Sequence, residues 1–185
     1  MKNTLSIIIP VFNEENTIIS ILEALEKVTL IGELQKEIII VDDCSTDNSK
    51  SIIKQYVSDN PNINAKYFSH EKNMGKGAAL HSGIKHSTGD YITIQDADLE
   101  YDPQEFNLLL KPIIDGFADV VYGSRFSGGK PHRILFFWHT IGNKFLTFLS
   151  NTLTNLNISD METCYKMFKS DHIKSLNLKE RRFGF

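Results

Sequence analysis

The chain has 185 residues, 41% hydrophobic and 23% charged, enough for one domain with a sizeable core, and no apolar run reaches the roughly 20 residues of a membrane span. Cys44 and Cys164 make neither a metal-binding spacing nor a disulfide framework, which fits a reducing compartment, and no secretory leader is expected ahead of the first strand pattern. The net charge of −3 conceals an asymmetry, because no acidic residue lies between Asp119 and Asp160 while Arg125, Lys130, Arg133 and Lys144 do; such a patch points to a phosphorylated or membrane-surface partner and not to nucleic acid.

Thr4 to Pro10 (TLSIIIP) is almost wholly apolar, as a strand buried on both faces should be. Phe12-Asn13-Glu14-Glu15-Asn16 breaks it, and Ile18, Ile19, Leu22, Leu25 and Val28 follow at helical spacing. Glu37 to Val41 predicts a second strand ending in Asp42-Asp43-Cys44-Ser45-Thr46-Asp47. Ser45, Thr46 or Asp47 can cap the helix that continues through Ile52, Ile53 and Tyr56. A weaker third strand covers Ala65 to Ser69, and Asn73-Met74-Gly75-Lys76-Gly77 opens a helix from Ala78 to about His86. Tyr91 to Gln95 is the fourth strand. A helix from Pro103 to about Asp115 follows, which Pro112 should bend or break, and Asp119 to Gly123 predicts a fifth strand.

The loop Phe126 to Arg133 has the Gly, Pro and Lys content of a mobile flap. Beyond it, Ile134, Trp138, Ile141, Phe145, Phe148, Leu149 and Leu153 form the stripe of an amphipathic helix, made unusually aromatic by Phe136 and Phe137. From Ser159 the pattern turns strand-like around Cys164 to Phe168, then gives a short helix and a basic tail. This alternation predicts an α/β fold with a largely parallel central sheet and helices on both faces.

The fourth strand runs straight into Asp96, Asp98 and Glu100. Like charges this close repel unless a cation or a set of donors sits among them. Mg2+ or Mn2+, shared with a substrate's phosphates, suits such oxygen ligands. The plainer alternative is a polar turn ahead of Asp102-Pro103, a good helix start. Position favours the metal, since α/β folds bind ligands at the carboxyl ends of their strands. Glu14 follows the first strand and Asp42 and Asp43 the second, so three carboxylate-bearing turns share one edge and describe a pocket. Carboxylates there suit ribose hydroxyls and base N–H donors in one part and a metal in another. Asp43 ends a buried strand with little structural reason to be acidic, so it is expected to bond the base or ribose. No GxGxxG follows the first strand, and Gly75-Lys76-Gly77 lacks the spacing and the Ser or Thr of a Walker A loop. Those glycines read first as turn residues, with a phosphate contact from Lys76 as the secondary reading.

These motifs carry a family resemblance. Ile9-Pro10-Val11-Phe12-Asn13-Glu14-Glu15, Val41-Asp42-Asp43-Cys44-Ser45-Thr46-Asp47, Asn73-Met74-Gly75-Lys76-Gly77 and Asp96-Ala97-Asp98-Leu99-Glu100 resemble the family 2 glycosyltransferases of GT-A fold. Gly123-Ser124-Arg125-Phe126 and Asp160-Met161-Glu162-Thr163-Cys164-Tyr165-Lys166 resemble the branch that makes polyprenyl-phosphate sugars, the dolichyl-phosphate mannose synthase-like enzymes. The resemblance implies a Rossmann-like three-layer α/β/α domain. It also implies inverting, metal-dependent transfer of a hexose from a nucleotide-diphosphate sugar, of the GDP-mannose or UDP-glucose type, to a dolichyl or undecaprenyl phosphate.

Site roles follow from the same resemblance. Pro10, Phe12, Glu14, Val41 and Asp43 would hold the base and ribose. Asp96, Ala97 and Asp98 would line the rest of the nucleotide-sugar site, Asp96 and Asp98 facing the diphosphate and metal, with Asp98 and Glu100 as direct metal ligands. Arg125 would reach the diphosphate or the acceptor phosphate. Two positions depart from the pattern: Phe12 stands where many relatives have Tyr, and Glu100 where archaeal mannosyl enzymes often have Gln. The closing Arg181-Arg182-Phe183-Gly184-Phe185 continues in relatives into an acidic segment and a further helix, which implies a chain cut short.

Two phosphate-bearing substrates repel, and Lys130, Arg133 and Lys166 are candidates to offset that, Lys130 and Arg133 facing the acceptor phosphate from the flap. With the acid-free aromatic segment, this predicts a peripheral protein at the cytoplasmic face of a membrane, docked through residues 126–153. Packed against the sheet instead, the same stripe would bury Ile141, Phe145 and Leu149. Two other functions fit the motifs: transfer to a soluble glycan or protein with Asp160 or Glu162 as general base, and non-catalytic nucleotide binding.

Overall fold

Six strands form one sheet in the computed structural model, which describes residues 3–124 and 137–182, the side chains of Phe137 and His139 excepted. They are β1 (Thr4–Val11), β2 (Gln35–Asp42), β3 (Ala65–Ser69), β4 (Tyr91–Ile94), β5 (Val120–Tyr122) and β6 (Lys166–Lys169), lying side by side as β3-β2-β1-β4-β6-β5. The first four are mutually parallel, as the alternation predicts. β6 enters antiparallel between β4 and β5. Composition explains the insertion: Met167 and Phe168 of β6 are buried, one into each layer, whereas Val120 and Tyr122 of β5 are exposed and suit an edge.

Among the described residues six α-helices accompany the sheet: α1 (Ile18–Lys27), α2 (Ser49–Asp59), α3 (Lys76–His86), α4 (Phe106–Ile114), α5 (Phe137–Thr154) and α6 (Ser170–Ser175). Successive strand residues face opposite ways, so Ile7 and Ile9 pack under α1, α2 and α4 while Ile8 packs under α3 and α6. This is the three-layer α/β/α arrangement. Each fully buried Ile contributes about 1.5–3 kcal/mol, so the two apolar layers hold the fold. Pro112 lies inside α4, which ends two residues later at Ile114; the N–H groups of Phe117 and Ala118 then turn onto the Pro112 carbonyl.

One charge is buried at the edge opposite the carboxyl ends of β1, β2 and β4. Glu37 accepts from Ser6 Oγ, from Lys66 Nζ at 2.7 Å and from the N–H and hydroxyl of Thr88. Burial would raise its carboxyl, but these donors outweigh burial and hold it at about 2.

α5 is turned inside out. Its buried residues are polar: Asn143 donates to Asp160 Oδ1 and Glu162 Oε2, both at 3.0 Å, and Thr147 donates to Asn143 Oδ1. Asn151 bonds both the N–H and the carbonyl of Ile158. The apolar stripe points outward, with Ile141 and Leu149 each 44% exposed, Phe145 63% and Phe148 67%. The stripe is therefore not core, because three polar side chains occupy the face that binds the protein. No helix among the described residues is long and apolar enough to cross a membrane.

Candidate active site

Sheet order reverses at β1, with β2 to one side and β4 to the other, so the loops leaving these strands part and open a crevice at their carboxyl ends. A cavity of about 430 Å3 lies there. Of the residues expected from sequence, Pro10, Phe12, Glu14, Asp43, Asp96, Ala97 and Asp98 line it. Val41 does not: its side chain is fully buried beneath the cavity in the α3 layer. Val11, Asn73, Gly75, Lys76, Ala79 and Arg182 complete the wall.

The loops after β1 and β2 lock together. Asn13 N donates to Ser45 Oγ, Glu14 N to Ser49 Oγ at 2.8 Å and Glu15 N to Asp47 Oδ2. In return Thr46 N donates to Asn13 Oδ1 and Asn48 N to Glu15 Oε2. Thr17 Oγ1 donates to Glu14 Oε2 at 2.6 Å and so aims that carboxylate. Asn13, Cys44 and Leu99 adopt left-handed φ of 58, 63 and 62°, one on each loop leaving β1, β2 and β4. Such positions cost energy in non-glycine residues and gather where a site over-determines the backbone.

The paired aspartates after β2 do different things. Asp42 is structural, accepting from Ser45 N and from the Tyr67 hydroxyl; burial and this carboxylate both push the Tyr67 phenol up. Asp43 has the structural role that its sequence context did not suggest. Its Oδ1 accepts from Met74 N at 2.9 Å and meets His70 Nδ1 at 2.7 Å, and its Oδ2 accepts from Gly75 N at 2.7 Å. It therefore both lines the cavity and holds the 73–75 turn.

After β4, Asp96 is gripped by Lys76, whose Nζ lies 2.6 Å from Oδ1 and 2.7 Å from Oδ2. Burial alone would lower the Lys76 ammonium; Asp96, aided by Cys164 at 3.5 Å, reverses this and raises it. The charge of Asp96 is thus balanced within the protein, which leaves Asp98 and Glu100 as the carboxylates of this turn that could hold a metal. Asp98 is exposed at the cavity wall and its Oδ1 accepts from Glu100 N. The turn is pinned where it ends: the ring of Tyr101 stacks on Tyr165, and the Tyr165 hydroxyl donates to Asp102 O at 2.8 Å. No group of three or more His, Cys, Asp or Glu forms a closed cage among the described residues. Two carboxylates on an open turn fit Mg2+ or Mn2+, which take one or two protein carboxylates and complete their shell with water and substrate phosphates.

Sequence reasoning missed Arg182. The segment before it crosses the start of α3, where Ala78 N donates to Arg181 O and Gly77 N to Arg182 O. A Cβ on Gly75 would lie 2.6 Å from Arg181 O, and one on Gly77 2.5 Å from Glu180 O. Both glycines are therefore needed for this crossing, and Gly75 also for its φ of 95°. Lys166 lies outside the cavity wall, buried, with its Nζ 5.3 Å from the centre of the Tyr122 ring; burial lowers its ammonium. Arg125, Lys130 and Arg133 lie outside the described residues.

Known proteins share this layout. The chain is 31% identical over 187 residues to the low-salt glycan biosynthesis hexosyltransferase Agl6 of Haloferax volcanii, matching 98% of this chain and 42% of that one. It is 31% identical over 189 residues to the dolichyl-phosphate beta-glucosyltransferase ALG5A of Trichomonas vaginalis, matching 95% and 56%. The chain thus spans about half the length of these relatives. Among solved structures, glucosyl-3-phosphoglycerate synthase from Mycobacterium tuberculosis, in complex with Mn2+, uridine diphosphate and glucosyl-3-phosphoglycerate, superposes with a TM-score of 0.69 at 24% identity, covering 94% of this chain and 59% of that one. At that identity the likeness speaks to the fold, a GT-A fold. The model of the family described as Glycosyl transferase family 2 matches residues 6–176, from within β1 to just past α6, and the chain belongs to that family.

Proposed function

We propose that this protein transfers a hexose from a nucleoside-diphosphate sugar to the phosphate of a polyprenyl lipid at a membrane surface, with Mg2+ or Mn2+. The observation that carries the reading is the cavity at the carboxyl ends of β1, β2 and β4. There Glu14 and Asp43 offer acceptors to a nucleoside, and Asp98 lines the same cavity as the cations Lys76 and Arg182. The half-exposed ring of Phe12 offers a base a stacking face. Asp98 and Glu100 would hold the metal, which supplies Lewis-acid stabilisation of the charge left on the departing diphosphate. Arg182, which also lines the cavity, would offset the same charge.

A lipid phosphate is ionised near neutral pH and needs no general base; it needs cations that offset its repulsion from the donor. Arg125, Lys130 and Arg133 are our candidates, together with Lys166. The alternative of a soluble hydroxyl acceptor calls for a carboxylate base, and Asp160 is poorly placed for it, buried and bonded to Asn143, which also engages Glu162. A relative named as a dolichyl-phosphate glucosyltransferase supports the lipid acceptor.

The membrane part of the reading rests on α5. A helix with Asn143 and Thr147 inward and Trp138, Phe145, Phe148 and Leu153 outward is oriented for an apolar medium. The test is incubation with a panel of nucleotide sugars, polyprenyl phosphate and Mg2+ or Mn2+, with products followed by mass. A hexosyl polyprenyl phosphate from one donor is expected. No product from any donor, or equal product in excess chelator, would overturn the reading.

A further inference from the structure

Asp43 is a hub of the cavity wall, and it is itself held by a relay. His70, just past β3, meets Asp43 Oδ1 through Nδ1 at 2.7 Å and Ser82 Oγ on α3 through Nε2 at 2.8 Å. The relay ties together the ends of β2 and β3 and the middle of α3, and the His70 and Asp43 side chains are only 11% and 4% exposed. The Asp43 carboxylate can only accept, so Nδ1 carries the hydrogen of that bond, and Nε2 shares a second hydrogen bond with the Ser82 hydroxyl. Neither His70 nor Ser82 lines the cavity, so this is not a nucleophile with its base.

A carboxylate offers about four acceptor positions. His70, Met74 and Gly75 fill three of those on Asp43 and leave one, on Oδ2, for a ligand. The terminal torsion of an aspartate is soft, so the direction of that remaining lone pair is set by what grips the other positions. Met74 and Gly75 belong to the turn that Asp43 itself holds; His70 is the side-chain grip anchored elsewhere, on α3.

We infer that His70 is a positioning residue of the nucleotide site, which acts through Asp43 to aim its last acceptor at the N–H or O–H donors of a nucleoside and to hold the Asn73–Gly75 wall. The inference rests on the nucleotide-sugar reading above.

Calorimetric titration of the full chain with UDP and with GDP, each with Mn2+, tests it on wild type, His70→Leu, His70→Asn and Ser82→Ala, with thermal unfolding followed in parallel. His70→Leu should weaken nucleotide binding about tenfold or more, as for a lost hydrogen bond to a charged group. His70→Asn keeps an N–H near the place of Nδ1 and should recover most of the affinity, while Ser82→Ala should cost about threefold, as for a neutral hydrogen bond. A purely structural histidine would lower the unfolding temperature in the Asn and Leu variants alike and leave the affinity of the folded protein unchanged. Folded His70→Leu that binds as tightly as wild type, or Asn no better than Leu, overturns the inference. Should His70→Leu fail to fold, unchanged affinity in Ser82→Ala overturns it equally. Wild type that binds neither nucleotide overturns the nucleotide reading, and this inference with it.

Discussion

Phe145 and Phe148 stand on the outer face of α5, 63% and 67% exposed, and their joint replacement by serine separates membrane docking from folding. Full burial of such a side chain is worth about 1.5–3 kcal/mol, so moving the remaining two-thirds of each ring into lipid contributes roughly 1–2 kcal/mol. For the pair that is about 2–4 kcal/mol, or roughly a 30- to 700-fold loss of partitioning onto vesicles. Folding stability should hardly change. The rings cover little of the protein, serine and phenylalanine have similar helix propensity, and exposed substitutions usually stay within about 0.5 kcal/mol. Flotation with phosphatidylserine-containing vesicles measures the first effect and thermal unfolding the second. Undiminished flotation of the double variant would refute docking through α5, and a fall of several degrees in unfolding temperature would show that the rings pack inward.

Asp98→Ala should lower transfer on the order of a hundredfold or more while leaving the fold intact, because the side chain is exposed and its loss removes stabilisation of developing charge; initial rates across a Mn2+ titration check it. Lys76→Met strands Asp96 in a largely enclosed place and should destabilise by roughly 2–3 kcal/mol, below the range for fully buried pairs; Lys76→Met, Asp96→Asn together should recover most of that in urea melts. Glu37 gives a pH signature: its folded carboxyl titrates at about 2, below the usual 4.5, so its stabilisation is complete above pH 4.5 and is lost as pH falls through 2. Allowing for solvent screening at half-exposed Lys66, this amounts to about 2 kcal/mol, read as a stability gap to Glu37→Gln that closes between those pH values; a constant gap would contradict it.

Much of the fold is written locally. β1 and β2 are runs of isoleucine and valine that admit one reading, and the carboxylates that end them fall at the cavity because parallel strands end on one edge. The placement of β6 was not legible, since a four-residue strand with two apolar residues between lysines does not say which strand it joins. The stripe on α5 was legible as amphipathic but ambiguous in direction; Asn143, Thr147 and Asn151 resolve it, and their i, i+4 and i+8 spacing was the signal available in the sequence. Gly75 and Gly77 look like turn or phosphate glycines, yet what excludes a side chain there is backbone more than a hundred residues away. Arg182 and His70 were missed for the same reason, that long-range contacts give them their roles.

The central claim is that the acceptor nucleophile is a lipid phosphate. It is tested most directly by presenting the protein, with its donor sugar and Mn2+, with polyprenyl phosphate, the matching polyprenol and a soluble glycan in parallel, and measuring initial rates of hexose incorporation by mass. The account predicts product on polyprenyl phosphate alone, abolished by chelation. Equal or faster transfer to the hydroxyl of the polyprenol or the glycan would contradict it.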